Sequence, residues 1–477
     1  MIHSEIKEPP PVSAAGSDGV GALPQPVSDR ELLGRIWKLA VPVLVQQALI
    51  YLVGLSDTLI TGWYLSSNDL AAVTVATYIS WFLGGLMAVV SAGASALVAR
   101  MVGAGDFDEA NRVTGVSMTM ALFVGLFIMA TGLSLAMSLV TGINLTGEAA
   151  TAAAIYFRIV VAVAPLIAFR VVGMTCLAAA GDTRIGSLVM GVVNAINIFL
   201  SWALVVGLWG LPKWGIAGVA AGTAIGEGVG GLLILLVLIR GRSGLKLAWK
   251  NLGPELAIIR RIVRISLPSV GETTTSIGGQ VVYLSLINRL GAISTAAHGV
   301  ALKCESIAYL MVGGFAAPAG ILAGQFLGAQ RPDLAKRAAN ICWVLGNLLL
   351  AVLGVMMFFL DEEMFYLFLG KDKPELVIEG APMLPVVAFA MPGLATINVL
   401  AATFRGAGET RVPWYNATIG FFFFRLPTTW LLARPVDGSF WAWGLKGAWI
   451  AMLVDLNGRG LLLTLKYLKG SWTQTKV

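Results

Sequence analysis

The two halves of this chain repeat each other in the same direction, with the second copy displaced by 225 to 229 residues. Three pairs of short motifs mark the repeat: Gly103-Ala104 with Gly328-Ala329, Gly181-Asp182-Thr183-Arg184 with Gly408-Glu409-Thr410-Arg411, and Trp214-Gly215 with Trp443-Gly444 (328 − 103 = 225, 408 − 181 = 227, 443 − 214 = 229). In a hydrophobic sequence, such a repeat predicts two similar helical lobes related by an axis along the membrane normal, with a binding site between them. The repeat therefore constrains the fold class and the position of the site together.

The composition is typical of a protein with many membrane spans. Hydrophobic residues make up 57% of the chain and charged residues 12%, whereas soluble domains carry about 25% charged residues. A span needs about 20 mainly apolar residues, and the sequence has twelve such stretches: 37–62, 74–99, 113–140, 152–179, 186–208, 216–240, 262–288, 298–325, 338–360, 380–404, 413–433 and 446–467. We therefore predict an all-α polytopic membrane protein with twelve transmembrane helices in two six-helix lobes related by pseudo-two-fold symmetry.

The same pattern divides the chain into four parts. Residues 1–30 are rich in Pro, Ser and Gly and lack an apolar run, which predicts a disordered cytoplasmic tail rather than a secretory signal. Residues 31–240 hold the first six spans and residues 262–477 the last six. Between them, residues 241–261 form a basic linker with an amphipathic segment that we expect on the cytoplasmic membrane surface.

The net charge of +7 reports topology and does not indicate a nucleic-acid partner. Lysine and arginine collect in alternate loops and near both termini, which places those loops and both termini in the cytoplasm. The three cysteines, Cys176, Cys304 and Cys342, show no paired spacing, so neither a disulfide framework nor a metal site is predicted.

Short motifs spread along the chain resemble the multidrug and toxic compound extrusion family, and within it the DinF-like branch. They are Leu39-Ala40-Val41-Pro42, Asp57-Thr58, Leu70-Ala71-Ala72, Gly103-Ala104, Gly181-Asp182-Thr183-Arg184, Ala296-Ala297-His298-Gly299, Gly324-Gln325, Gly328-Ala329, Arg425-Leu426-Pro427 and Lys469-Gly470-Ser471-Trp472. The resemblance implies a secondary active multidrug exporter, not an enzyme, that needs no cofactor and exchanges amphipathic or cationic organic compounds for H+ or Na+ by alternating access. It also implies a monomer in the lipid bilayer of a bacterial-type inner (plasma) membrane.

Asp57 is the sharpest candidate for the coupling group. An acidic residue inside a span costs about 2.5–3.5 kcal/mol on insertion scales and is functional by default. A carboxyl group removed from water can take up and release a proton, and Pro42 in the same span could serve as a hinge. The resemblance places this aspartate in a cation site of the first lobe. The alternative is a solvated aspartate that caps the outer end of the helix.

The resemblance places Asn197 and Ser201 of the fifth span beside Asp57, and their spacing puts them on one helix face. Relatives often carry an aspartate at the position of Ser201, and its absence leaves less ligand charge for a sodium ion. The sequence therefore favours H+, while Na+ stays possible at Asp57 and Asn197. Thr223 in the sixth span is either a further ligand or a threonine bonded to its own helix.

Two further acidic residues occupy equivalent places in the repeat. Glu227 and Asp455 lie in spans six and twelve (455 − 227 = 228). Asp455 has Arg459 one turn later, which favours a local ion pair. For Glu227, a structural pair with Arg170 is favoured over a role in coupling because buried ions are normally compensated.

The second lobe offers three secondary candidates. Glu272 follows Pro268 by one helical turn, which places it nearer the cytoplasmic end than the span-seven glutamate that some branches of the family use. His298 and Glu305 share a face of span eight. His298 could shuttle protons or be a hydrogen-bonded structural histidine.

Two other functions compete with the exporter. A lipid-linked precursor flippase of the same superfamily would favour several arginines facing a central cavity, and the sequence has few. An intramembrane enzyme would need a catalytic constellation, but only His3 and His298 are present, without HExxH or GxSxG motifs. Across the repeat, Asp57 corresponds to Val282 or Tyr283 and Asn197 to Phe424, so the sequence predicts a polar cluster in the first lobe only.

Overall fold

The computed structural model describes residues 27–142, 145–210, 212–369, 374–434 and 441–475. Within these ranges the regular structure is helical and no strand is present. The helices of the first half are α1 (Asp29–Tyr64), α2 (Ser67–Gly84), α3 (Ala88–Ala104), α4 (Phe107–Gly142), α5 (Gly147–Val161), α6 (Ala164–Ala179), α7 (Arg184–Val206) and α8 (Ile216–Arg240). Those of the second half are α9 (Leu256–Asn288), α10 (Ala292–Gly328), α11 (Pro332–Phe359), α12 (Asp361–Leu369), α13 (Pro374–Gly380), α14 (Met383–Gly406), α15 (Arg411–Ile419), α16 (Leu426–Leu432) and α17 (Gly444–Leu468), with a π-helical stretch (Gly420–Arg425) between α15 and α16.

Each predicted span coincides with one long helical segment of the described chain. Among the described residues, nine segments are long and apolar enough to cross a membrane by themselves, and the pair α5–α6, bent by 56°, makes a tenth if it is counted as one span. The segments α9 and α15–α16 fall short of that test. Both lie inside helical lobes, and α9 carries the polar run Glu272-Thr273-Thr274-Thr275. The all-α, multi-span fold is therefore confirmed.

The first half of α1 packs on the second lobe, and the first half of α9 packs on the first lobe. Leu32 and Ile36 of α1 belong to the same buried core as residues of α10, α11 and α14. Ile258 and Ile262 of α9 belong to the core of α3, α4 and α6. Each core therefore includes the start of a helix from the other half of the chain, so the two cores do not coincide with the sequence ranges 31–240 and 262–477.

The lobes meet on the side of the molecule where α1 begins and α17 ends, which we call the basic side. A side chain at Gly103 would collide with the backbone of Gln325, and one at Gly328 with the backbone of Arg100. This explains why the Gly-Ala motif occurs in both halves: each copy lets its helix touch the other lobe. Gln325 also donates a hydrogen bond to the Ala179 carbonyl (2.8 Å). The gap between the lobes is therefore closed on the basic side.

The N-terminal part and the linker differ in detail from the prediction. Residues 1–26 of the expected tail lie outside the described residues, and α1 begins at Asp29 with Ser28 and Glu31 forming a capping box. The linker is 241–255, because α9 already begins at Leu256. It forms a tight bend and a single 3-10 turn, Trp249–Asn251. Asp182 holds this bend through an ion pair with Arg242 (2.8 Å).

Candidate functional site

Asp57 lies inside the first lobe and not at a solvated helix end. Its side chain is 2% exposed. Its carboxylate accepts three hydrogen bonds: from the Tyr156 hydroxyl (2.6 Å), from the Thr223 hydroxyl (2.7 Å) and from the Asn197 amide (3.0 Å). No ion pair among the described residues involves Asp57. We call these four residues the first-lobe cluster; it holds one carboxyl group surrounded by neutral donors.

A second layer of hydrogen bonds orients those donors. The Asn197 amide group also contacts the Thr223 hydroxyl oxygen (2.9 Å). The Ser56 hydroxyl lies 2.8 Å from the Asn197 side-chain oxygen and 2.8 Å from the Val53 carbonyl. Because the amide oxygen faces a donor, the amide nitrogen is the atom that faces Asp57. The cluster is thus connected from α1 through α7 to α8.

Glycines on one face of α8 bring the cluster together. A Cβ atom at Gly226 would lie 2.8 Å from the Val193 carbonyl oxygen, and one at Gly222 would collide with Ser201. Small residues at this spacing let helix backbones approach closely. The approach of α8 to α7 places Thr223 within hydrogen-bonding distance of Asn197.

Two of the sequence-predicted residues lie near this cluster but not in it. The Ser201 hydroxyl donates to the Val219 carbonyl (3.1 Å) and so links α7 to the α8 backbone. Glu227 forms an ion pair with Arg170 (2.6 Å), the structural pairing that the sequence favoured. Neither side chain bonds to Asp57.

Tyr156 is the member of the cluster that sequence reasoning missed. It lies on α5 directly after the alanine-rich stretch 149–155, and it is 4% exposed. A buried tyrosine normally directs its hydroxyl to a polar partner. A single tyrosine in an alanine-rich span was therefore a usable signal, but the sequence does not say which acceptor it reaches.

Pro42 lies inside α1 on the basic side of Asp57, and its surroundings recur in the second lobe. A proline removes one hydrogen bond of the helix. Three residues before it, the Leu39 carbonyl accepts a hydrogen bond from the Thr183 hydroxyl (3.1 Å). In α9, the Ile265 carbonyl, three residues before Pro268, accepts one from the Thr410 hydroxyl (2.6 Å). The repeated Gly-Asp/Glu-Thr-Arg motif thus ties the proline-containing turn of α1 and of α9 to the neighbouring helix.

The second lobe also contains a buried polar cluster, which corrects the prediction that only the first lobe has one. The residue equivalent to Asp57 is Tyr283, and its hydroxyl donates to the Ala448 carbonyl (2.9 Å). At the centre lies Arg425, next to the Asn197-equivalent Phe424, with its guanidinium 2.7 Å from Asp455. Arg459 lies 3.9 Å from the same carboxylate, so the local ion pair that the sequence favoured is the longer of the two. We call Tyr283, Arg425, Asp455 and Arg459 the second-lobe cluster. Its acidic residue, Asp455, is paired with arginine, whereas the acidic residue of the first-lobe cluster has only neutral donors.

The remaining candidates lie in the second lobe without joining Asp57. Glu272 forms a bidentate ion pair with Arg405 (3.1 Å to each oxygen), near the basic side as expected. His298 is fully buried between the rings of Tyr283 and Trp449. In the described chain, neither His298 ring nitrogen has a hydrogen-bond partner, and neither has Oε1 of the buried Glu305.

Comparisons with known proteins agree with this architecture. The MatE family model matches residues 42–203 and 268–431, one match in each half of the repeat. The chain is 25% identical over 449 residues to the probable multidrug resistance protein NorM of Thermotoga maritima, covering 94% of each chain. It is 24% identical to the uncharacterized transporter YisQ of Bacillus subtilis, covering 92% of this chain and 95% of the relative.

Solved structures share the fold. A multidrug resistance MATE family transporter of the MOP superfamily, solved in an outward-facing conformation, superposes with a TM-score of 0.86 at 20% identity. That match covers 97% of this chain and 100% of the other. Together, the matched halves and the shared fold show that this chain is a transporter, not an enzyme, and that it belongs to the MatE family, the multidrug and toxic compound extrusion transporters.

Proposed function

We propose that this protein exports amphipathic, often cationic organic compounds in exchange for a cation that binds at Asp57. The observation that carries the proposal is the first-lobe cluster: one buried carboxyl group with three neutral donors and no basic partner. A carboxyl group so placed changes the net charge of the lobe interior by one when it gains or loses a cation. The name of the relative NorM, a probable multidrug resistance protein, supports export of drug-like compounds.

The hydrogen-bond pattern favours H+ over Na+ as the coupling ion. Hard cations are held by several oxygen ligands with free lone pairs. Here the Asn197 nitrogen faces Asp57, and the Asn197 oxygen faces Ser56. A sodium ion would have to displace donors from both carboxylate oxygens, whereas a proton needs a single acceptor.

Helix α1 offers a path from the cation to the lobe interface. Asp57 and Pro42 lie on one helix, and the part of α1 that precedes Pro42 packs into the second-lobe core. A change of charge at Asp57 can therefore bias the bend of α1 and with it the contact that closes the basic side. Alternation between two such arrangements is the switching step of the proposed antiport.

The arrangement of charge supports the remaining parts of the proposal. Asp29 at the start of α1 contacts Arg337, and Thr475 beyond α17 contacts Arg100. These contacts support assigning the basic side, with both termini, to the cytoplasm of a bacterial-type plasma membrane. The protein acts there as a monomer. Arg425 and Arg459 lie beside Asp455, so they do not form the unpaired cationic cavity that a flippase for anionic lipid precursors would use.

Uptake of a fluorescent cation into proteoliposomes tests this function. The proton gradient and the sodium gradient are imposed separately, with ionophores that collapse each gradient as controls. We expect uptake with the proton gradient and its loss when that gradient collapses. Uptake driven by sodium alone would reject the assignment of the ion, and no uptake with either gradient would reject the antiport.

A further inference from the structure

A groove of about 1040 Å³ runs between α9 and the α15–α16 segment. Leu267, Gly278 and Val282 of α9 line one wall, and Trp414, Tyr415 and Phe422 line the other. It extends from Arg264 to Val282, about 27 Å along the axis of α9. That length approaches the thickness of the hydrocarbon core of a bilayer, about 30 Å.

The groove opens to the surface of the molecule, away from the interior of the lobe. The opposite side of α9 carries Glu272, Gln280 and Tyr283, which contact other helices of the second lobe. A third side carries Ser266, which accepts a hydrogen bond from the Gly93 amide of the first lobe (2.8 Å). The remaining side is the groove, and its apolar lining is exposed: Leu267 63%, Tyr415 54% and Phe422 55%.

A missing side chain creates much of this space. At Gly271 the ring of Trp414 lies against the α9 backbone, so a Cβ atom there would be 2.7 Å from the ring. At Gly278, two turns further, a Cβ atom would meet nothing within 4 Å. The two helical segments therefore touch at Gly271 and again at Gly279, which packs against the Phe421 ring, and they leave open apolar space at Gly278.

The end of the groove on the basic side is cationic. Arg264 and Arg411 line it, and both are exposed. In the described chain neither forms an ion pair, unlike Arg405 and Arg425 in the same lobe. Arg411 is also the first residue of α15, so the positive end of the helix dipole points at the same place. Among the described residues that line the adjoining space, the acidic one is Glu409, which accepts a hydrogen bond from the Thr475 hydroxyl (3.0 Å).

We propose that this groove binds an anionic phospholipid of the leaflet on the basic side. The phosphate and any further headgroup charge would lie between Arg264 and Arg411, and one acyl chain would lie along Gly278 between the aromatic wall and α9. Basic pockets between transmembrane helices at this depth recognise anionic headgroups. The site is independent of the coupling carboxyl proposed above, because none of its residues belongs to the first-lobe cluster.

Such a lipid would touch the proline-containing turn of α9. Pro268 lines both the groove and the cationic space beside it. The Ile265 carbonyl, three residues before Pro268, accepts a hydrogen bond from Thr410, the residue before Arg411. A bound headgroup would therefore link α9 and α15 where this hydrogen bond already joins them.

Native mass spectrometry of the purified full-length protein tests the site. Phosphatidylglycerol, phosphatidylethanolamine and phosphatidylcholine with identical acyl chains are titrated into wild type and variants. We expect phosphatidylglycerol to bind most tightly. The double variant Arg264→Ala/Arg411→Ala should bind it about thirtyfold more weakly, because each basic residue near the leaflet surface contributes to headgroup attraction. Gly278→Leu should weaken phosphatidylglycerol and phosphatidylethanolamine alike, since it fills the open space there and leaves the charge unchanged.

The repeat supplies a matched control. Lys38 and Arg184 are the first-lobe equivalents of Arg264 and Arg411 (264 − 38 = 226, 411 − 184 = 227). The variant Lys38→Ala/Arg184→Ala removes the same charge at the same depth and should keep full binding. Equal losses in the two double variants would mean that general leaflet electrostatics holds the lipid, and this would overturn the proposal. Equal binding of the three lipids to wild type, or full binding by Gly278→Leu, would overturn it as well.

Discussion

Removal of the Tyr156 hydroxyl should alter coupling while the fold is kept. In Tyr156→Phe, Asp57 loses the shortest of its three hydrogen bonds, 2.6 Å. A hydrogen bond to a charged group contributes about 1.5–3 kcal/mol, and one between neutral groups about 0.5–1.5 kcal/mol. The charged carboxylate therefore loses about 1–2 kcal/mol more than the neutral acid. The balance should move toward the neutral form by roughly five- to thirtyfold, since about 1.4 kcal/mol is a factor of ten.

The assay is uptake of a fluorescent cation into proteoliposomes as a function of pH, at a fixed proton gradient. The pH of half-maximal uptake in Tyr156→Phe should rise by about one unit. Tyr283→Phe is the matched control, because it removes the same atom from a buried tyrosine of the second lobe, whose acceptor is the neutral Ala448 carbonyl. Its pH profile should equal that of wild type. Identical profiles for wild type and Tyr156→Phe, in protein of unchanged thermal stability, would refute the reasoning.

Three further predictions concern packing and pairing inside the two lobes. Gly222→Ala should lower thermal stability by about 1–3 kcal/mol through overpacking against α7, whereas Gly228→Ala on the same helix, with its nearest neighbour at 3.4 Å, should be nearly neutral; equal melting temperatures would contradict this. Thr410→Val removes the hydroxyl that bonds to the Ile265 carbonyl, and it should cost about 1–3 kcal/mol in thermal unfolding because a buried acceptor loses its donor. Arg425→Gln leaves the buried Asp455 carboxylate without its nearest cation and should destabilise the protein by about 3–5 kcal/mol. Expression and a melting temperature close to those of wild type would show that this ion pair contributes little to stability.

The sequence predicts well those parts of the fold that depend on local patterns of residues. Apolar runs of span length and the duplicated motifs gave the helices and the pairing of the halves. They could not show that α1 and α9 each pack on the opposite lobe, because Leu32 and Ile262 look like ordinary apolar helix residues in either environment. Which core such a residue joins is decided by the tertiary arrangement.

The candidate site divides in the same way. Asp57, Asn197 and Thr223 stand out as polar residues in apolar spans, and the structure places them in mutual contact. The partner of a buried charge is harder to predict when it lies far along the chain. The sequence paired Asp455 with the adjacent turn and missed Arg425, thirty residues away. The contact of Tyr156 with Asp57 was not predicted for the same reason, because the two residues are 99 positions apart in the sequence.

The most direct test of the central claim is the variant Asp57→Asn, which has the shape of the wild-type residue but cannot bind or release a proton. Binding of the fluorescent cation to the purified protein and its proton-driven transport in proteoliposomes are measured together. We predict that binding persists within a few-fold while proton-driven transport falls to the level of empty vesicles. Proton-driven transport at the wild-type rate in Asp57→Asn would show that coupling resides elsewhere.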